Sequence, residues 1–216
     1  MIVAYFWTIK PSRIANAIYA MGFDRFFLMA DKNVFFHKSL GTGKGETFTP
    51  SDANALQWGL VAVVSDIEKF DSSAVVKRWR KGSVSEFRAV LEPISSHGKW
   101  AGKEPFVASV KDWDGQVAAI TRARIKWSQN FRFWSSVPPV TVSLKSAPGL
   151  VAAIGIGEAP IGLQGTFSLW ESAAAIREFA YKGAAHQKAI ADTSAYNWYS
   201  EELFARFAVR EVRGSL

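Results

Sequence analysis

An ordered internal repeat constrains this chain more than any other feature. Gly41-Thr42-Gly43 is echoed by Gly155-Ile156-Gly157, and Trp58–Val63 by Gln164–Leu169. Ile67–Phe70 is echoed by Ile176–Phe179 after a small gap, and Glu86–Val90 by Glu202–Arg206. The order is the same in both copies. A unit of about 100 residues is too long for a solenoid, whose repeats run to 20–50 residues. Such a chain must form two small domains or one barrel built from two halves.

The local pattern supports the same division. Ile2–Ile9 alternates as a strand, and Pro11-Ser12 opens a helix that reads to about Gly22. Val34–Leu40, Leu60–Val64 and Val84–Pro93 read as strands, with Ser65-Asp66 capping a helix between the last two. Ser95–Pro105 has loop chemistry. In the second copy, Val117–Trp127 reads as a strand and is followed by a short helical or irregular stretch to Trp134. Pro138-Pro139 is expected to break that stretch, leaving Val140–Leu144 extended. Leu150–Ile154, Thr166–Trp170 and Leu203–Val209 read as strands and Glu171–Ala191 as a helix. Each half is then β-α-β-β-α-β, the ferredoxin-like order. The expected class is α+β: tandem ferredoxin-like repeats forming a unit like a dimeric α/β barrel. Residues 1–94 make the first half, 95–116 the connecting loop, and 117–216 the second half with the ligand helix.

Composition narrows the chemistry. A chain of 216 residues and 23.8 kDa can bury a substantial core. Its 9 Trp and 16 Phe suit either a thick core or a flat apolar ligand. With no cysteine, disulfides, thiolate-ligated iron, iron–sulfur clusters and cysteine nucleophiles are excluded. The net charge of +7 is dispersed, apart from Lys77-Arg78-Trp79-Arg80-Lys81, which reads as a basic helix end, a membrane or nucleic-acid patch being the alternative. No zinc finger or RNA-binding aromatic motif accompanies it, so no nucleic-acid partner is expected. No apolar run reaches membrane-spanning length. The first ten residues read as a strand and not as a signal peptide, so a cytoplasmic protein is expected.

His186 is the sharpest single feature. At about 100° per residue, Phe179, Gly183, His186 and Ile190 share one helix face, with Arg177 and Lys188 opposite. Gly183 costs about 1 kcal/mol of helix propensity unless the missing side chain makes room, as a flat macrocycle would require. A neutral His186 could then ligate haem iron through one nitrogen while the other donates a hydrogen bond. The alternative is a core histidine bonded to a carbonyl. The matching helix of the first copy has no histidine.

The second feature is the run Thr121–Lys126. Period two places Arg122, Arg124 and Lys126 on one face. Lining a cavity, they could bind haem propionates, and Arg122 or Arg124 could act catalytically by stabilising negative charge developing on bound oxygen. A solvated strand face is the alternative. The glycine stretches at Gly41–Gly45 and Gly155–Glu158 match neither dinucleotide nor Walker loops and read as tight turns. His37 and His97 complete three well-separated histidines without zinc spacing.

At this point the chain resembles the spheroidene monooxygenase family of carotenoid biosynthesis. The resemblance rests on Ile120–Ile125, Gly155–Pro160, Thr166–Trp170, Gly183–His186 and Trp198–Phe207. It covers most of the chain, is strongest after Val117, and is weaker around Asp24–Thr49. It implies an oxidoreductase using haem b, dioxygen and an electron donor such as ferredoxin on an apolar, carotenoid-like substrate. It further implies His186 as the proximal ligand. A homodimer and a location at the membrane periphery are compatible with it. A haem carrier or sensor without turnover is the alternative, as is a haem-degrading or cofactor-free ferredoxin-like monooxygenase.

Overall fold

Strand β1 (Ile2–Ile9) is buried on both faces, and this places it between two packed layers. Ala4 and Phe6 join one apolar cluster with residues from all eight strands, while Val3, Tyr5, Trp7 and Ile9 join another with the helices. The computed structural model describes residues 1–44, 49–158, 163–182 and 198–216. After β1 come α1 (Ile14–Ala30), β2 (Val34–Gly43), β3 (Ala53–Val64), α2 (Ile67–Asp71), α3 (Ala74–Gly82) and β4 (Ser83–Gly98). The second half holds β5 (Val117–Ile125), α4 (Asn130–Lys145), β6 (Leu150–Gly157), β7 (Leu163–Trp170), α5 (Ala173–Lys182) and β8 (Tyr199–Arg213).

Among the described residues, the strands close a barrel in the order β1-β3-β2-β6-β7-β5-β8-β4. Every neighbouring pair is antiparallel. The order β4-β1-β3-β2 is that of one ferredoxin-like sheet, and β8-β5-β7-β6 repeats it. Like edges meet at both seams, β2 against β6 and β4 against β8. The α+β class and the tandem ferredoxin-like repeats are therefore as expected.

The ladders also correct the repeat. Trp7 lies opposite Trp58 and Glu86, as Ala123 lies opposite Gln164 and Glu202, so two of the sequence correspondences hold. Gly41 faces Trp58 whereas Gly157 faces Gln164, so the true counterpart of Gly41 is Gly157. Within the described residues, Gly41–Gly43 and Gly155–Gly157 are not turns. Gly41, Thr42 and Gly43 pair with Gly157, Ile156 and Gly155 across the seam.

Three elements outrun their sequence limits. Helix α1 passes through Gly22 to Ala30, because nothing about a solvent-facing glycine forces the chain to turn. Helix α4 continues through Pro138-Pro139 and includes the segment expected to be extended; Thr141 Oγ1 donates to the Pro138 carbonyl there. Strand β4 runs to Gly98, where the chain turns with φ 86°. Alanine there would bring its Cβ to 2.2 Å from the Glu202 carbonyl oxygen. Glycine is required both by the φ and by that approach.

The connection after β4 crosses the barrel. Trp100 packs edge-on against Phe36 of β2 at 5.7 Å, and Phe106 against Phe207 of β8 at 5.0 Å. Strands β2 and β8 lie on opposite sides of the ring, so this loop is a plug in the lumen. Deeper inside, Phe6, Phe87 and Phe167 from both halves sit 5.2–6.1 Å apart. The lumen is a packed core and not a ligand channel.

Candidate functional site

The outer faces of the two half-barrels carry opposite kinds of side chain. In the first half, Tyr5, Trp7, Trp58 and Leu60 project outward under the helices. Trp7 stacks on Tyr5 at 4.9 Å and on Trp79 of α3 at 5.3 Å. Charged groups seal this layer. Arg88 Nη2 donates to Asp71 at 2.7 Å, Arg88 Nη1 to Glu211 at 2.9 Å, Trp7 Nε1 to Glu86 at 2.6 Å, and Tyr5 Oη to Asp71. Burial, reinforced by Asp71, pushes the Tyr5 hydroxyl well above its ordinary range. That face is filled.

In the second half three of these four positions are smaller, and Trp58 is matched by Gln164. The ladder registers place Thr121 and Thr166 where the first half has Tyr5 and Leu60, and Ala123 where it has Trp7. Ala119 and Ser168 lie one row further, with Arg206 beside Ala119 on β8. Gly155 and Gly157 extend the floor onto β6. Ile176 and Phe179 of α5 close one end, where Phe179 meets Trp170 at 5.4 Å. Thr121, Ala123 and Thr166 are half-buried on this face, Ala119 and Ser168 are covered, and no aromatic stack like that of Tyr5 and Trp7 stands on it among the described residues.

Helix α5 carries Phe179 onto this floor, as its helical spacing implies. Gly183 and His186 lie outside the described residues. Arg122 does not join the floor. It shares the phase of Ala118 and Ile120, whose side chains are in the lumen. Arg122 and α5 are thus on opposite faces of β5. Arg124 has the lumenal phase too but is exposed at the barrel mouth. A register shift between Arg124 and Ile125 then breaks the alternation, and Lys126 lies past the end of β5. Arg122 and Arg124 thus share one face of β5 and Lys126 falls outside it, because a bulge changes which way the next side chain points.

Arg122 instead anchors the plug. Its Nη2 donates to Glu158 at 3.0 Å, and its Nη1 to Glu201. Glu158 also accepts from Lys38 Nζ at 2.6 Å and from Trp100 Nε1 at 2.7 Å. Glu201 accepts from the backbone N–H groups of Ala101 and Gly102 at 3.0 and 2.6 Å. One buried guanidinium thus holds the two carboxylates that grip residues 100–102. Burial alone would raise the Glu158 carboxyl, but the Lys38 and Trp100 hydrogen bonds and the charges of Lys38 and Arg122 bring it below its ordinary range. For Glu201, burial is likewise outweighed by Gly102, Arg122 and Ala101. Groups depressed in the folded state stabilise it above their unfolded pKa, about 4.3 for Glu, and that stability is lost as pH falls through the lower folded values. We therefore expect the near-ultraviolet dichroism difference between the wild type and Trp100→Phe, which isolates Trp100 among the nine tryptophans, to change below about pH 4. The change should become less steep in Glu158→Gln; an unaltered profile would separate the plug from these carboxylates.

Sequence reasoning missed Glu158, Glu201 and Trp100 as one unit, and Arg206 as the arginine on the outer face of the second half. Parity along β8 was the available signal for Arg206, since it alternates with Ala205 and Phe207 of the lumen. Arg206 Nε donates to Ser95 Oγ at 3.1 Å. Among the described residues no cluster of histidine and acidic side chains could hold a metal ion. A cavity of about 280 Å³ opens at the β2–β6 seam, lined among others by Met21, Gly41, Trp58, Gly157 and Gln164. It shares Gly155, Gly157 and Gln164 with the floor of the second half.

No family model matches the chain. It is 38% identical over 180 residues to a spheroidene monooxygenase of Cereibacter sphaeroides, covering 81% of this chain and 55% of that protein. It is 36% identical to the spheroidene monooxygenase of Rhodobacter capsulatus, covering 86% of this chain and 79% of the relative. With that of Rubrivivax gelatinosus it shares 35% identity, covering 93% and 80% respectively. The chain thus spans about half the length of the first of these relatives and about four fifths of the other two. An aldoxime dehydratase crystal structure matches 96% of this chain and 81% of its own with a TM-score of 0.60 at 10% identity, a likeness of fold alone. With identity above 30% across most of both chains in two relatives, this chain belongs to the spheroidene monooxygenase family.

Proposed function

We propose that the chain is a haem-dependent monooxygenase that oxidises a carotenoid-like polyene with dioxygen. The observation that carries this reading is the outer face of the second half-barrel. There Thr121 and Ala123 stand where the first half keeps Tyr5 and Trp7, and Gln164 stands where it keeps Trp58. A flat, largely apolar macrocycle fits such a floor. The names of the relatives supply the substrate class.

His186 would hold the iron and Phe179 would flank the ring. Arg206 would take an anionic edge of the macrocycle, since it shares the floor's face and Arg122 does not. Bound haem would supply oxygen activation. The protein's own contribution is to orient the polyene and keep water away. The seam cavity suits one end of such a substrate: its glycines present bare backbone to a flat chain, and Met21, Trp58 and Ile156 give it apolar walls. Electrons would come from a donor such as ferredoxin.

An absorption spectrum of the purified protein tests this reading. A Soret band is expected, and His186→Ala should abolish it or shift it to that of weakly held haem while the melting temperature stays near wild type. An unchanged spectrum in that variant would remove His186 from the iron. A Soret band in a protein that turns over no polyene with a reductant would make the chain a carrier.

A further inference from the structure

Helix α1 is apolar almost all round, yet it lies on the surface. Ala17, Ala20, Asp24 and Leu28 face the sheet. On a wheel of about 100° per residue, Ile18, Met29, Phe26, Tyr19, Phe23 and Phe27 follow one another round half the circumference, with no charged residue among them. All six are exposed, Met29 to 74% and Ile18 to 59%. Phe35, thrown outward by a bulge in β2, adds a further side chain exposed to 67%. A contiguous apolar surface of this kind marks an interaction site.

The rim is basic. Lys10, Arg13, Arg25, Lys32, Lys77 and Arg78 are exposed around the helix. Arg25 lies 4.6 Å from the Phe26 ring centre and Arg78 5.3 Å from that of Phe27. The acids nearby are spent: buried Asp24 takes Trp79 Nε1 at 2.8 Å and Arg78 at 3.0 Å, and Asp31 accepts from the Asn33 N–H. We infer that this face of α1 docks the protein on a lipid bilayer surface with anionic headgroups. Aromatic side chains in the middle with lysine and arginine at the edges form the pattern of an interfacial helix lying in the membrane plane. At 17 residues α1 is too short to span, and no helix among the described residues is long and apolar enough to cross. A second copy fits less well, since a self-complementary contact would press two basic rims together. Met21 of this same helix lines the seam cavity, which places the cavity beside the docking face. The inference goes beyond the proposed oxidation and does not depend on the cofactor.

The test is flotation of the purified protein with phosphatidylcholine vesicles, with and without phosphatidylglycerol. Binding to the anionic vesicles is expected, weakening as salt is raised. The triple substitution Phe23→Ser, Phe26→Ser, Phe27→Ser should lower the partition coefficient at least about tenfold. Arg25→Gln with Lys32→Gln should lower it only for anionic vesicles. Should the triple variant misfold, Met29→Ser and Phe35→Ser decide, each with an expected loss of about threefold. Absence of vesicle binding by the wild type would overturn the proposal, as would equal binding to neutral vesicles. So would a dimer in sedimentation equilibrium that the same substitutions dissolve, because the face would then belong to a second copy.

Discussion

Arg122→Met should destabilise the fold by about 3–5 kcal/mol, the range for removing one partner of a buried ion pair. The guanidinium side chain is 2% exposed and holds Glu158 and Glu201 at once. Without it, Glu158 keeps Lys38 and Trp100, and Glu201 keeps only the Ala101 and Gly102 N–H groups. Both carboxylates would remain partly buried, short of countercharge, at the point where the plug enters the lumen. Urea denaturation followed by tryptophan fluorescence measures the loss. Arg122→Lys should recover little, since an ammonium cannot fork between two carboxylates. Adding Glu201→Gln to Arg122→Met should restore part of the stability, because the pair is coupled. A loss under about 1 kcal/mol, the worth of a surface pair, would show that Arg122 is not the anchor of the plug. Haem affinity should follow stability in these variants and show no separate defect, because Arg122 and α5 occupy opposite faces of β5.

Thr121→Tyr combined with Ala123→Trp should abolish haem binding while leaving the barrel intact. These substitutions give the second half the residues that Tyr5 and Trp7 supply to the first. Both target positions are half-buried on the outer face, so the new rings occupy the proposed floor and do not invade the lumen. An aromatic ring there fills the space a macrocycle would use. Titration with haem should show affinity reduced by at least about a hundredfold, which is about 2.7 kcal/mol. Circular dichroism should retain the wild-type spectrum, with a stability change within the 1–3 kcal/mol usual for added bulk. Unaltered haem binding would move the cofactor off this face. Loss of fold would instead mean that α4 and α5 already close over the floor.

The lesson of Arg122 recurs elsewhere in the molecule. Period two correctly put Arg122 and Arg124 on one face of β5, but alternation cannot say which face becomes the lumen. Only barrel closure does that. The partners of Arg122 stand 36 and 79 residues away, at the end of β6 and the start of β8, where no local pattern announces them. The helix face carrying Phe179 was legible because 3.6-residue periodicity and burial are local properties of one segment. The glycine stretches read locally as turns, yet at the seam their glycines allow two strands to pair across the pseudo-twofold. Pro138-Pro139 was read as a break from the loss of two donors, and α4 accommodates both.

By itself, the sequence determined the element order, the duplication, the absence of cysteine chemistry and the alternation within the regular stretches of the strands, because each follows from residue types at short spacing. Tertiary structure alone decided the rest. It closed two four-stranded sheets edge to edge, drew Trp100 and Phe106 into the lumen, turned Arg122 to the plug and left the apolar arc of α1 facing outward. These outcomes depend on which distant surfaces meet, and the free energy of burying a side chain belongs to that meeting and not to the residue.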